Sequence, residues 1–362
     1  MNKIASDIFI GTMSGTSMNG IDVCAIVIKD NKPKLIAFDS YAYPKKISNE
    51  LFEIIKTPAI HLDNFGRLDA QIGLVFAQAV QRFVNRLRIR SNQVKGIALS
   101  GQTVWHAPKS PAPFSLQLGS PHPMAKIFKV PVIFDFRNSH IAAGGEGAPL
   151  VPPFHAKMHA FKKPSMVINI GGISNYTVVK SASFFGSDIG PGNALIDTYC
   201  RERLNKPYDL NGALASKGSI KIELVQAMLM HKEFKHKHPF STGKEVFNFK
   251  FIPHQILRLR PEDALATLTE VTAQSIAKTV HIHKDCKNIY VCGGGAKNKY
   301  LLSRLIELCQ KNISTTEEIG IHPQAIESMA FAWMAYMRIT NQKIPVAQTG
   351  VKSLLGSILQ FK

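Results

Sequence analysis

Two rhythms of hydrophobic positions run through the chain. Short apolar runs that break at glycine predict buried strands, and apolar residues spaced three and four apart predict helices. Ile8-Phe9-Ile10 predicts a strand that enters the loop Gly11 to Gly20; Ile21 to Ile28 returns from it, and Lys34 to Tyr43 offers a further strand. Asn19-Gly20 is a hairpin signal, because both residues tolerate positive φ. Between Gly66 and Arg90, Leu68, Ile72, Val75, Phe76, Ala79, Val80, Phe83 and Leu87 keep helical spacing, with Arg82, Arg86 and Arg88 near the end, where cations suit the helix dipole. Ile97-Ala98-Leu99 predicts a short buried strand running into Ser100 to Thr103, and Pro111 to Pro123 reads as an irregular, pocket-shaping loop. Val132-Ile133-Phe134 predicts a strand that ends in Asp135-Phe136-Arg137, ahead of a glycine-rich stretch, Gly144 to Gly147.

Pro149 to Pro164 reads as a boundary, and the plan then repeats. Met166 to Ile170 enters the pair Gly171-Gly172, and Tyr176 to Lys180 returns. Ser187 to Asn193 reads as a turn, followed by helices at Asn193 to Leu204, Ser216 to His231 and Glu262 to about Ile282. Ile289 to Cys292 is a buried strand that ends in Gly293-Gly294-Gly295, with a helix behind it at Lys299 to Gln310. Ala325 to Ile339 closes the pattern as an amphipathic helix. Two halves that each begin strand, glycine loop, strand suggest an α/β protein of duplicated lobes with a cleft between them. The expected division is 1–150 and 151–362, with the final helix and tail packing back on the first lobe.

Composition narrows this picture. The chain has 362 residues, 45% of them hydrophobic, which excludes a disordered protein. The net charge of +19 is dispersed, with no block of Lys and Arg interleaved with aromatics to mark a nucleic-acid surface; an anionic substrate and nucleotide fit the charge equally well. Cys24, Cys200, Cys286, Cys292 and Cys309 form no CxxC pair, as expected of buried free thiols in a reducing compartment. No stretch approaches a membrane span of about 20 apolar residues, so a cytoplasmic protein without membrane or nucleic-acid partners is expected. The histidines of His231 to His238, and His281 and His283, match no strong metal-ligand spacing and read as solvated helix ends.

Three stretches carry candidate chemistry. The first loop is rich in glycine and hydroxyls, so it can offer several donors to phosphate oxygens or be a plain loop; it lacks the Lys-Ser/Thr pair of a P-loop. Asp188, beside Gly190-Pro191-Gly192, can be a base next to a phosphate or a cap of the helix that follows. Asp135 and Arg137 can grip an anionic ligand at a strand end or form a structural pair.

Taken together, the motifs resemble the anhydro-N-acetylmuramic acid kinase family, within the acetate and sugar kinase/heat-shock 70/actin superfamily. They include IGTMSGTSMNGID (Ile10 to Asp22), GQTVWH (Gly101 to His106), DFRNSHIAAGGEGAPLVPPFH (Asp135 to His155), NIGGISNYT (Asn169 to Thr177), SDIGPGNALID (Ser187 to Asp197), ATLTEVTA (Ala266 to Ala273), VCGGGAKN (Val291 to Asn298) and ESMAFAW (Glu327 to Trp333). The resemblance implies two ribonuclease-H-like lobes in an actin-like ATPase architecture with ATP in the cleft. It further implies a homodimer that takes 1,6-anhydro-N-acetylmuramic acid, ATP and water to N-acetylmuramic acid 6-phosphate and ADP, with Mg²⁺ and metal ligands left open. It assigns Asp188 as general base and Arg137 and Glu327 as catalytic partners, with Gln102 beside them against the sugar. Gly15, Thr16, Ser17, Met18, Asn19, Gly20, Ile21 and Asp22 would form the phosphate loop, and Gly293, Gly294 and Gly295 would lie near the adenosine. Where the family usually has Asp, this chain has Asn19, Ser120, His140 and Gln324; where it has His, this chain has Ser100. His140 is expected to titrate near neutrality. A kinase for another amino sugar and a non-catalytic nucleotide-binding protein are the alternatives.

Overall fold

The computed structural model describes residues 7–361, apart from 16, 17, 19, 57–58, 159, 182, 237–239, 241, 244–245 and 347–348. Two compact units divide the chain: Met1–His159 with Gln324–Lys362, and Ala160–Pro323.

The first unit starts with an antiparallel meander, β1 (Ile8–Met13), β2 (Gly20–Lys29) and β3 (Lys32–Ala42). Helices α1 (Lys45–Lys56) and α2 (Leu62–Leu87) lead to β4 (Val94–Ala98), parallel to β1. A small hairpin of β5 (Gln102–Ala107) and β6 (Phe114–Leu118) follows, then α3 (His122–Phe128), β7 (Val132–Phe134) parallel to β4, α4 (Phe136–Ala142) and α5 (Pro152–Lys157). β6 corrects the expectation of an irregular loop over 111–123. The prolines stand on either side of Phe114–Leu118, so the strand's own N–H groups remain available to β5.

The second unit repeats the scheme: β8 (Ser165–Ile170), β9 (Ile173–Val179) and β10 (Phe184–Pro191) as an antiparallel meander, then α6 (Ala194–Leu204), α7 (Ile222–Leu229), a short α8 (His254–Leu257), the long α9 (Pro261–Ile282), β11 (Asn288–Cys292), α10 (Lys299–Cys309) and β12 (Asn312–Thr315). β11 runs parallel to both β8 and β12. α7 is shorter than the helix expected from Ser216. β10 also corrects an expectation, since Ser187–Pro191 is strand and not turn. Pairing with β9 holds it extended, and a register shift between Asp188 and Gly190 takes up the irregularity, as a bulge does.

After the second unit the chain returns to the first through α11 (Ala325–Ile339), β13 (Ile344–Pro345), β14 (Lys352–Ser353) and β15 (Ser357–Leu359), the last antiparallel to β7. The sheet orders are β15-β7-β4-β1-β2-β3 and β10-β9-β8-β11-β12. With β15 set aside, each reads third, second, first, fourth, fifth. That is the ribonuclease-H-like order, so the duplicated α/β plan expected from the sequence is present in each unit.

Both central strands are buried along their whole length, which is why they read as continuous apolar runs rather than alternating ones. Leu68, Ile72, Phe76, Val80 and Phe83 of α2 join the core beneath the first sheet; each such side chain contributes about 1.5–3 kcal/mol. α11 is buried on nearly all sides, not amphipathic. It lies so close to β1 that a Cβ on Gly11 would stand 1.9 Å from the Ser328 carbonyl oxygen, so only glycine admits this approach. In the second unit α9 serves two cores, Leu265, Leu268 and Val271 in one and Ile276 and Val280 in the other. All five cysteines are free and buried. No described helix is long and apolar enough to cross a membrane.

Candidate active site

In each unit the carboxyl ends of the parallel strands share one edge of the sheet, the edge where α/β proteins place ligands.

In the first unit, the hairpin between β1 and β2 is braced by three polar side chains. The Ser14 hydroxyl lies 2.9 Å from the Gly20 carbonyl oxygen and 2.7 Å from Gln102 Oε1, and the Tyr43 hydroxyl donates to Ser14 Oγ at 3.1 Å. Gln102 Nε2 donates to the Thr103 and Gly15 carbonyls at 3.1 and 3.4 Å. Burial raises the Tyr43 pKa far above its ordinary value, so the phenol remains a donor. The Met18 N–H closes back on the Gly15 carbonyl at 3.1 Å. Of the expected phosphate loop, Gly15, Met18, Gly20, Ile21 and Asp22 lie on this hairpin, and Thr16, Ser17 and Asn19 lie outside the described residues. Gln102, expected against the sugar, is fully buried and has both ends of its amide engaged with the hairpin and its neighbour.

Asp22 enters the same edge early in β2, opposite Met13. Glu327 stands in the first turn of α11 and Arg137 near the start of α4. Burial pushes the Glu327 pKa up to about 7, the Asp22 charge adds to the rise, and Arg137 opposes it. Two of the expected catalytic residues, Arg137 and Glu327, therefore share one electrostatic field with Asp22. Burial, and then the Arg137 charge, lowers both His106 and His140 to about 4. This corrects the expectation that His140 titrates near neutrality. Its Nδ1 accepts the Gly147 N–H at 2.9 Å, a role for the neutral ring. Arg137 Nη1 donates to the Gly147 carbonyl at 2.9 Å, and the Asp135 carboxylate receives Asn138 Nδ2 at 2.7 Å.

Among the described residues, no group of three or more His, Cys, Asp or Glu side chains could hold a metal. Asp22 fits a weaker demand. Mg²⁺ takes one or two carboxylates and draws its other ligands from water and phosphate, and a carboxylate whose proton is retained beside another carboxylate is a place where added positive charge is favourable.

In the second unit Asp188 sits on β10 with its N–H donating to the Phe240 carbonyl at 3.1 Å, and its Oδ2 accepts the Thr242 N–H at 2.9 Å. Ser187 Oγ fastens the same segment by accepting the Phe240 N–H at 3.0 Å. Asn193, not Asp188, occupies the cap position of α6, so helix capping is not the aspartate's role. Beyond it, the glycine loops of β8 and β10 interlock: the Gly192 and Asn193 N–H groups donate to the Gly172 and Gly171 carbonyls, both at 2.8 Å. A Cβ on Gly192 would lie 2.4 Å from the Gly171 oxygen.

The three glycines after β11 are not equivalent. Gly293 has φ 80 and ψ −177, a region essentially reserved for glycine, and a Cβ there would lie 2.3 Å from Asn169 Oδ1 and 2.8 Å from the Ile170 oxygen. Gly295 would strike the Ile170 side chain at 2.3 Å, whereas Gly294 would meet nothing nearer than Asn193 Nδ2 at 4.0 Å. Two of these glycines are demanded by packing on β8, and only Gly294 opens its backbone outward.

The sequence reading did not single out Ser14, Tyr43, His106 or Gly147. Ser14, His106 and Gly147 stand inside the recognised motifs, which is a signal of sorts; nothing local distinguishes Tyr43.

Comparison with known proteins agrees with this frame. Residues 7–360 match the family model described as anhydro-N-acetylmuramic acid kinase. The chain is 40% identical over 365 residues to the anhydro-N-acetylmuramic acid kinase of Gamma-proteobacterium EBAC31A08, covering 99% of this chain and 100% of that one. It is 37% identical over 371 residues to that of Haemophilus influenzae, covering 97% of each. Among solved structures, component A of the (R)-2-hydroxyglutaryl-CoA dehydratase of Acidaminococcus fermentans is similar at a TM-score of 0.50 and 13% identity, covering 92% of this chain and 100% of that one. At that identity the likeness speaks for the fold alone.

Proposed function

The chain belongs to the anhydro-N-acetylmuramic acid kinase family, and from that premise we propose that it opens 1,6-anhydro-N-acetylmuramic acid with water and phosphorylates it from ATP, in the recycling of cell-wall sugar. One observation carries the reading: the family match spans residues 7–360, so the charged edge of the first unit and the glycine edge of the second both lie inside it. In this reading Asp188, kept by Thr242 and Phe240 on a bulged strand, accepts a proton from the water that attacks the anomeric carbon. The C1–O6 bond breaks, O6 attacks the γ-phosphorus, and ADP leaves. Arg137 holds the sugar and offsets the charge that develops. Glu327, whose proton is retained near neutrality, can donate a hydrogen bond or a proton to a sugar oxygen. The first hairpin, braced by Ser14, Gln102 and Tyr43, faces its donors to the phosphates, and Gly294 offers an unobstructed backbone to the adenosine. Asp22 would take part in holding Mg²⁺ delivered with ATP, with the other ligands drawn from water and phosphate; when bound, the ion supplies positive charge to the phosphates. Reliance on ATP and five free thiols suit a cytoplasmic setting, and a homodimer belongs to the same reading.

The test is incubation of the protein with Mg-ATP, the anhydro sugar and ¹⁸O-labelled water. One ADP should form per 6-phosphosugar, with the label on the anomeric hydroxyl. Asp188→Asn should lower kcat by about 10²–10⁴-fold. Absence of a phosphosugar would overturn the function, and an Asp188→Asn enzyme as fast as the parent would overturn the base.

A further inference from the structure

His140 and Arg137 lie three residues apart on α4, so they share a helix face, and they meet the same residue from opposite sides. The Gly147 N–H donates to His140 Nδ1 at 2.9 Å, and the Gly147 carbonyl accepts from Arg137 Nη1 at 2.9 Å. The loop between them is shaped around the imidazole. The Gly145 N–H returns to the His140 carbonyl at 2.9 Å, and a Cβ on Gly145 would lie 2.2 Å from the ring. Gly147 itself has φ +73, and a Cβ there would crowd His106 Cε1 and Ile141 at 3.2 Å.

We propose that His140 is a positioning residue for the reaction, which fixes Arg137 by holding Gly147 so that the Gly147 carbonyl orients the guanidinium. The inference rests on the reading above that Arg137 grips the sugar. Three features support it. His140 is 3% exposed, so the ring is locked by packing. Its acceptor nitrogen stays unprotonated at neutral pH, because burial and the Arg137 charge hold its pKa near 4. An imidazole also takes the Gly147 N–H without presenting a negative charge to Arg137. A guanidinium held at one N–H by a fixed carbonyl loses rotamer freedom before substrate arrives, which favours binding and orientation.

The experiment compares His140→Leu, His140→Asn, Arg137→Ala and the double variant His140→Leu/Arg137→Ala. Loss of the acceptor in His140→Leu should lower kcat/KM for the sugar about tenfold, and leave KM for ATP unchanged. His140→Asn keeps an acceptor near the Nδ1 position and should recover most of that loss. In the Arg137→Ala background His140→Leu should have no further effect, because the positioned group is already gone. Additive losses, equal defects in Leu and Asn, or a His140→Leu enzyme equal to the parent beside a defective Arg137→Ala would overturn the relay alone. An undamaged Arg137→Ala would instead overturn the role of Arg137 and the relay with it. If His140→Leu does not fold, His140→Ala assayed with and without free imidazole makes the same test: rescue supports the relay, and no rescue of a folded, impaired enzyme refutes it.

Discussion

The two sheets share one strand order and one set of strand directions, yet their ligand-facing edges are built from different materials. The edge of the first unit is made of side chains: Asp22, Arg137 and Glu327 in a common field, with His106 and His140 kept neutral beside them. The edge of the second is made of backbone: interlocked glycine loops after β8 and β10, Gly293 to Gly295 after β11, and the carboxylate of Asp188, secured by main-chain contacts. A side-chain edge can tell one hydroxyl or carboxyl pattern from another, as sugar recognition requires. A glycine edge offers N–H groups and flat access, as phosphates and a planar base require. The same scaffold occurs twice, and the residues at its strand ends make the two units different.

Acid should separate the units most strongly. His106, His140 and His155, all in the first unit, have pKa values lowered to about 4, 4 and 3, chiefly by burial. A lowered histidine contributes stability that is present above its ordinary value of 6.5 and lost as pH falls toward the folded value. The loss by pH 4 should reach about 5 kcal/mol or more, and hydrogen exchange followed from pH 7 to pH 4 should open the first unit first. His283 and His322 of the second unit are also lowered by burial, but both are partly exposed. Earlier opening of the second unit would break the comparison.

Gly293→Ala should come next. It combines a glycine-only conformation with a collision against the Ile170 carbonyl, and should destabilise by about 3 kcal/mol, read as a fall in Tm. Glu327→Gln tests the charged edge with the opposite pH sense. The Glu327 pKa is raised to about 7, so its contribution is full below the ordinary value of 4.5 and is lost as pH rises toward 7. Relative to the variant, the parent should lose on the order of 2 kcal/mol between those limits; parallel pH profiles of the two proteins would mean that Glu327 is not held protonated by burial and Asp22. Smallest in stability is Gly294→Ala. With no atom nearer than 4.0 Å to the new Cβ, Tm should move by less than about 0.5 kcal/mol equivalent, and KM for ATP should rise several-fold. A stability loss matching that of Gly293→Ala would mean that the three glycines are equivalent after all.

The strands at the centre of each unit, the long helices and the repeat were legible in the order of residues. Those elements are buried on two faces or along a broad stripe, and local composition records such burial directly. The same patterning marked the glycine- and hydroxyl-rich stretches between apolar runs, and these follow β1, β8 and β11 in the structure. Tertiary structure decided the rest. Prolines and glycines around Phe114–Leu118 and Ser187–Pro191 read as loop and turn, but pairing with β5 and β9 made them strands. The amphipathic reading of α11 gave way because that helix, last among the helices in the chain, is packed against β1 and enclosed. Gly293 and Gly294 look alike in sequence and differ in backbone conformation and in what stands opposite, Asn169 and Ile170 against open space. The pKa values of Glu327 and His140 follow from Asp22, Arg137 and burial, and a charge feels its neighbours in space, which the order of residues along a chain does not specify.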